Sequence, residues 1–207
     1  MSEKYNNLLS HLKDITNLGN ASAILSWDQE TEMPDGGAEA RASQMATLAK
    51  IQHSMMTSEQ TAELLDGAKT ELNGAEYDSD EASMIRVVEQ DYADATKLPT
   101  EFVADRAEKV ALAHSIWAEA REKADFSIFV DALKGLIDLN LQEADYRGYD
   151  EHPYDALLGQ YERGMTTQEV TDIFDAHRPK LVDLIAQIAD SEQVDDSFLH
   201  QPFDKNE

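Results

Sequence analysis

The 207-residue chain contains no cysteine, which excludes disulfides, thiolate metal sites and a cysteine nucleophile. Basic residues are also scarce: 17 Lys and Arg face 42 Asp and Glu, a formal net charge of -25. So negative a field repels phosphate backbones and anionic lipid heads, which argues against nucleic-acid and membrane partners. No run approaches the roughly 18 to 20 continuous apolar residues that a membrane span needs. The opening MSEKYNNLLSHLKDI lacks the basic start, apolar run and small-residue cleavage pattern of a secretory signal, so the expected location is the cytoplasm. Excess carboxylate also suits a protein kept hydrated in salty surroundings.

What is present is periodic. Hydrophobic residues make up 42% of the chain, and they recur in stripes that a disordered acidic tail would not show. Leu8, Leu12, Ile15 and Leu18 advance by three or four, the spacing of one helical face, with Gly19 placed to break or bend that helix. Pro34, Gly36 and Gly37 read as a turn before a second helix whose buried stripe is Ala38, Met45, Leu48, Ile51 and Met55. Thr57 and Gln60 form a candidate capping box for the next helix, and Asn73, Gly74 and the acidic run from Asp78 to Glu81 read as a connection. After Pro99, the residues Val103, Val110, Trp117 and Ala124 step by seven, and a second amphipathic pattern from Phe126 to Ala144 follows a short gap at Asp125. That gap predicts an antiparallel helical hairpin. Gly148 to Gly164 reads as irregular, Thr166 with Glu169 as another capping box, and Pro179 as a kink in the last helix. The expected fold is all-α, with no strand alternation and no internal repeat.

The chemistry is conspicuous for what it omits. No two of the six histidines are four apart and none follows a Glu by three, which removes the HExxH helix and the Glu-x-x-His signature of di-iron bundles. Phosphate-binding glycine loops, a GxSxG elbow and a complete EF-hand loop are missing as well. His114 and His177 lie on apolar helix faces, which predicts hydrogen-bonded core histidines before ligands. Trp27, Asp28, Gln29 and Glu30 fit equally a polar, aromatic-edged cleft and a partly buried Trp beside solvated acids. The loop segment with His152, Tyr154, Asp155, Tyr161 and Glu162 fits a site or simple packing between helices.

Three longer strings are specific. ILSWDQETEMPDGGAEARASQMATLAK (residues 24–50), WAEAREKADFSIF (117–129) and EHPYDALLGQYERGMTT (151–167) resemble, in that order and spacing, the N-terminal portion of the carboxypeptidase Taq family of zinc metallocarboxypeptidases. One departure is Arg163, where the family pattern has proline before Gly164. The resemblance implies antiparallel helical hairpins forming the N-terminal scaffold or lid of a larger helical peptidase, with residues 1–207 its N-terminal part. It implies a homodimeric full-length enzyme that releases C-terminal amino acids from peptides, with a zinc held by an HExxH helix and a later glutamate. Cobalt is a possible substitute in vitro.

None of those ligands can be placed on this sequence, since His200-Gln201-Pro202-Phe203 is not the family's HPF motif. The end at DKNE reads as an incomplete gene model or fragment. Trp27, Asp28, His152, Tyr154 and Asp155 are then expected to shape or brace the peptide groove, and the chain alone is expected to be inactive. The alternative is a non-catalytic helical interaction or regulatory module derived from the peptidase; an acidic coiled-coil scaffold is weaker, because the seven-residue stepping is brief.

Overall fold

The computed structural model describes residues 2–202, apart from the side chain of Asp35; the DKNE end lies outside the described residues. Eight α-helices and three short 3-10 turns account for its regular structure, with no strand among the described residues. The helices are α1 (Glu3–Thr31), α2 (Ala38–Met56), α3 (Glu59–Glu71), α4 (Asp80–Thr96), α5 (Thr100–Glu122), α6 (Val130–Arg147), α7 (Pro153–Leu158) and α8 (Thr167–Asp190). The chain divides into two compact units, residues 1–157 and 158–207.

In the first unit α1 runs unbroken for 29 residues, roughly 43 Å. Gly19 does not break it. A Cβ there would stand 2.9 Å from Nε2 of Gln52 on α2, and that amide donates to the Ile15 carbonyl at 3.3 Å. The glycine leaves room for the Gln52 amide against α1, at a propensity cost of about 1 kcal/mol. A core of Leu8, Leu65, Ala68, Ile85 and Val88 joins α1, α3 and α4, with Tyr5, Leu12 and Tyr92 packed around it.

The most extensive helix contact is between α2 and α5. The side chains buried in these two helices are mostly small, Ala42 on α2 and Ala111, Ala113 and Ala120 on α5, beside Phe102. Of the α2 stripe expected to be buried, Ile51 is 44% exposed, and on α5 Val110 and Trp117 are 44% and 41% exposed. Close approach of two helices selects alanine at the contact and leaves larger residues to the flanks, a choice that spacing alone does not reveal.

Helix ends follow local chemistry. Ser58, not Thr57, caps α3 by accepting from the Thr61 amide, while Thr57 closes α2. Ser79 caps α4. Asp125 caps the 3-10 turn Phe126–Ile128 that opens the α5–α6 hairpin, accepting from the Ser127 amide and hydroxyl at 2.9 and 2.6 Å. Ala124, at φ +52°, occupies the left-handed position before it, and the Asp125 amide reaches back to the Ala120 carbonyl at 2.9 Å. The expected hairpin is thus present. Buried Glu143 of α6, only 3% exposed, takes Arg106 of α5 at 3.0 Å and Arg147 at 2.8 Å. Edge-on packing of Phe102 with Tyr146, centroids 5.1 Å apart, reinforces the same seam. The segment expected to be irregular contains the short α7, which follows Gly148 at φ +78°.

The second unit holds α8, capped by the expected Thr166–Glu169 box. Pro179 lies inside this helix, which continues to Asp190.

Candidate functional site

The C-terminal end of α1 carries the first group of candidates. Arg41 of α2 binds both the Asp28 carboxylate and the Leu25 carbonyl. With 11% of its side chain exposed, against 38% for Asp28, this guanidinium clamps the end of α1 to α2. Gln29 extends the tie to α5, donating to the Ala111 carbonyl at 3.0 Å. Trp27 is 62% exposed.

Beside that end lies a cleft of about 510 Å³, lined by Gln29, Glu30, Met33, His114, Ile116 and Glu119. Gln29 and Glu30 therefore do contribute to a polar cleft, whereas Trp27 and Asp28 stand outside its lining. His114 is half-buried, its ring centroid 5.8 Å from that of Trp117, and His177 on α8 is exposed. Neither is a core histidine.

The second group opens α7. His152 Nδ1 accepts from the Tyr154 amide at 3.1 Å, and the His152 carbonyl accepts from the Asp155 amide at 2.9 Å. His152 thereby orders the first turn of α7, and the Tyr154 ring is left 52% exposed. Among the described residues no hydrogen bond, ion pair or ring contact joins Trp27 or Asp28 to His152 or Tyr154.

Two organising histidines escaped the sequence reading. His11 Nε2 lies 2.8 Å from the hydroxyl of fully buried Thr61, which itself donates to the Met55 carbonyl at 2.6 Å. With that proton committed, His11 must be the donor, so the pair is a structural tie and not a base with its nucleophile. His53 donates through Nε2 to the Ala95 carbonyl at 3.0 Å and accepts at Nδ1 from the Thr100 hydroxyl at 3.0 Å, pinning α2 to the α4–α5 junction. Their only sequence signal was nearby capping residues.

No group of three or more His, Asp and Glu side chains among the described residues could hold a metal ion. Displaced titrations occur at helix ends. Hydrogen bonds from the Ser127 hydroxyl and amide lower Asp125, and burial, then Glu81 and Asp80, raise Tyr5. What these residues can do is hold helices in place and present surfaces. Among the described residues no helix is long and apolar enough to cross a membrane.

Against known proteins, residues 7–207 match the family described as Carboxypeptidase Taq (M32) metallopeptidase. The chain is 33% identical to thermostable carboxypeptidase 1 of Pyrococcus furiosus over 93% of its own length and 38% of that protein's. It is 31% identical to carboxypeptidase 1 of Bacillus subtilis over 94% and 38%. The crystal structure designated BsuCP superposes with a TM-score of 0.89 at 29% identity, covering 99% of this chain and 41% of that one. The chain thus spans about two fifths of the length of the proteins it matches.

Proposed function

Because the chain belongs to the carboxypeptidase Taq (M32) metallopeptidase family, we propose that it forms the N-terminal scaffold and groove wall of a metallocarboxypeptidase, an enzyme that releases C-terminal amino acids from peptides. The observation that carries this reading is the match over residues 7–207. Zinc is the metal we assign to the whole enzyme. The residues described here do not fit a metal, having no suitable donor group, so no chemical step in this chain runs through one.

The role of these residues is to position. Arg41 and Asp28 hold the end of α1, which turns Trp27 outward as an aromatic surface. His152 holds the start of α7, which presents Tyr154 and Asp155. The chain by itself is inactive toward peptides, and the whole protein is a cytoplasmic homodimer. The alternative reading is a non-catalytic helical interaction or regulatory module derived from the peptidase.

An exchange tests the proposal: this chain replaces the matching part of Bacillus subtilis carboxypeptidase 1, alone and with Asp28→Ala or Tyr154→Phe. Retained release of C-terminal residues supports the peptidase reading, and a folded chimera without activity favours the module. Asp28→Ala is expected to lower thermal stability and kcat/KM together, and Tyr154→Phe to raise KM. Unchanged kinetics and stability in both would remove the two residues from the groove.

A further inference from the structure

The connection between α3 and α4 contains a dipeptide that no helix restrains. Asn73 and Gly74 are both exposed, and they sit in a turn closed by the Ala75 amide, which donates to the Leu72 carbonyl at 2.9 Å. Gly74 adopts φ +90°, a conformation that favours glycine. A Cβ built there would meet nothing within 4 Å, so the backbone is open on that side. Among the described residues the Gly74 amide donates to no carbonyl, and no hydrogen bond engages the Asn73 side chain.

An asparagine so placed is open to attack by its own backbone. The amide nitrogen of the following residue must reach Cγ, and a side chain on that residue hinders the approach; glycine has none. The other asparagines of the described residues, Asn6, Asn7, Asn17, Asn20 and Asn140, lie within α1 and α6. Each is followed by a residue that carries a Cβ and whose amide is held in the helix ladder. Asn73 stands apart on both counts.

We propose that Asn73 deamidates spontaneously in the folded chain and that the product loosens the end of α3. Hydroxide takes the Gly74 amide proton, the nitrogen attacks Asn73 Cγ, and the Cγ–Nδ2 bond breaks as ammonia leaves with a proton from water. The new N–Cγ bond closes a five-membered succinimide. Water then opens the ring at either carbonyl, which gives aspartate or, where the chain now runs through the side chain, isoaspartate. Ammonia is lost and water gained, so no oxidant or reductant is needed. Either product adds a carboxylate beside the C-terminus of α3, the negative end of its dipole. Isoaspartate also inserts a methylene into the backbone of the turn. That turn bears on packing, because Leu72 lies against the core that α3 and α4 share through Leu65, Ala68, Ile85 and Val88.

The test incubates the purified 207-residue chain in heavy-oxygen water at mildly alkaline pH, native and in urea, and follows each asparagine by peptide mapping. In the native chain Asn73 should take up one solvent oxygen at least about tenfold faster than Asn140, whose reaction requires α6 to open. Urea should change the Asn73 rate by no more than about threefold, since the folded turn already leaves the pair free. A native Asn73 that reacts no faster than Asn140, or only once urea is added, overturns the proposal. As modification nears completion, Tm should fall by about 1–4 °C. Asn73→Gln, whose longer side chain would have to close a larger ring, should keep its Tm through the same incubation. A fully modified chain that melts with the fresh one overturns the claimed effect on α3, and so does an equal fall in Asn73→Gln, which would trace the loss to other damage.

Discussion

Replacing Glu143 by alanine should destabilise the first unit more than any surface substitution. The carboxylate is 3% exposed and meets two cations: Arg147 through Nε at 2.9 Å and an outer nitrogen at 2.8 Å, and Arg106 through Nε at 3.0 Å. Removing one partner of a buried ion pair costs about 3–5 kcal/mol, because the other charge is left desolvated. The two arginines differ in that respect. Arg147 keeps 15% of its side chain exposed and cannot easily turn to water, whereas Arg106 is 42% exposed and can. The lower end of the range, about 3 kcal/mol, is therefore expected. For a unit of 157 residues that corresponds to a fall in Tm of about 6–12 °C. Thermal unfolding followed by circular dichroism at neutral pH gives the value directly. Arg147→Ala should lower Tm by a similar amount and Arg106→Ala by clearly less, with the double variant Glu143→Ala/Arg147→Ala losing less than the sum. A Glu143→Ala protein melting within a degree of the parent would refute the view that this triad joins α5 to α6.

Two opposite substitutions should both stabilise. Gly135 lies within α6 with nothing within 4 Å of where a Cβ would stand, so Gly135→Ala should add about 0.5–1 kcal/mol; Ala124 sits at φ +52°, so Ala124→Gly should add about 1 kcal/mol. Urea titration checks both, and a loss in either case contradicts the assigned backbone geometry. Asp125 is held below its ordinary value first by the Ser127 hydroxyl and then by its amide. A depressed carboxyl contributes stability above its unfolded pKa and loses it as pH falls through the folded one. Ser127→Ala should raise the Asp125 midpoint toward the ordinary value and narrow that acid-side contribution, read by carbon NMR titration; an unmoved midpoint would show that the hydroxyl does not hold the charge.

Element existence was largely readable, because three- and four-residue spacing, Pro99, and the Thr166–Glu169 pair each encode local geometry. Which face of a helix is buried was less so. On α5 the residues that step by seven include Val110 and Trp117, yet the buried positions beyond Phe102 are alanines, because burial depends on how near the neighbouring helix comes. Gly19 looked like a break for the same reason, its role being set by Gln52 from α2. At the candidate site, the family strings pointed to the end of α1 and the start of α7. The side chains that fix them, Arg41 and the imidazole of His152, act through contacts formed only in the fold.

The most direct measurement is peptide hydrolysis by the purified 207-residue chain with zinc added, following released C-terminal amino acids by mass spectrometry. No release is predicted, alongside a helical spectrum showing that the chain is folded. Stoichiometric, zinc-dependent release of C-terminal residues would contradict the account, because it would place the catalytic centre in a chain whose described residues provide no metal site.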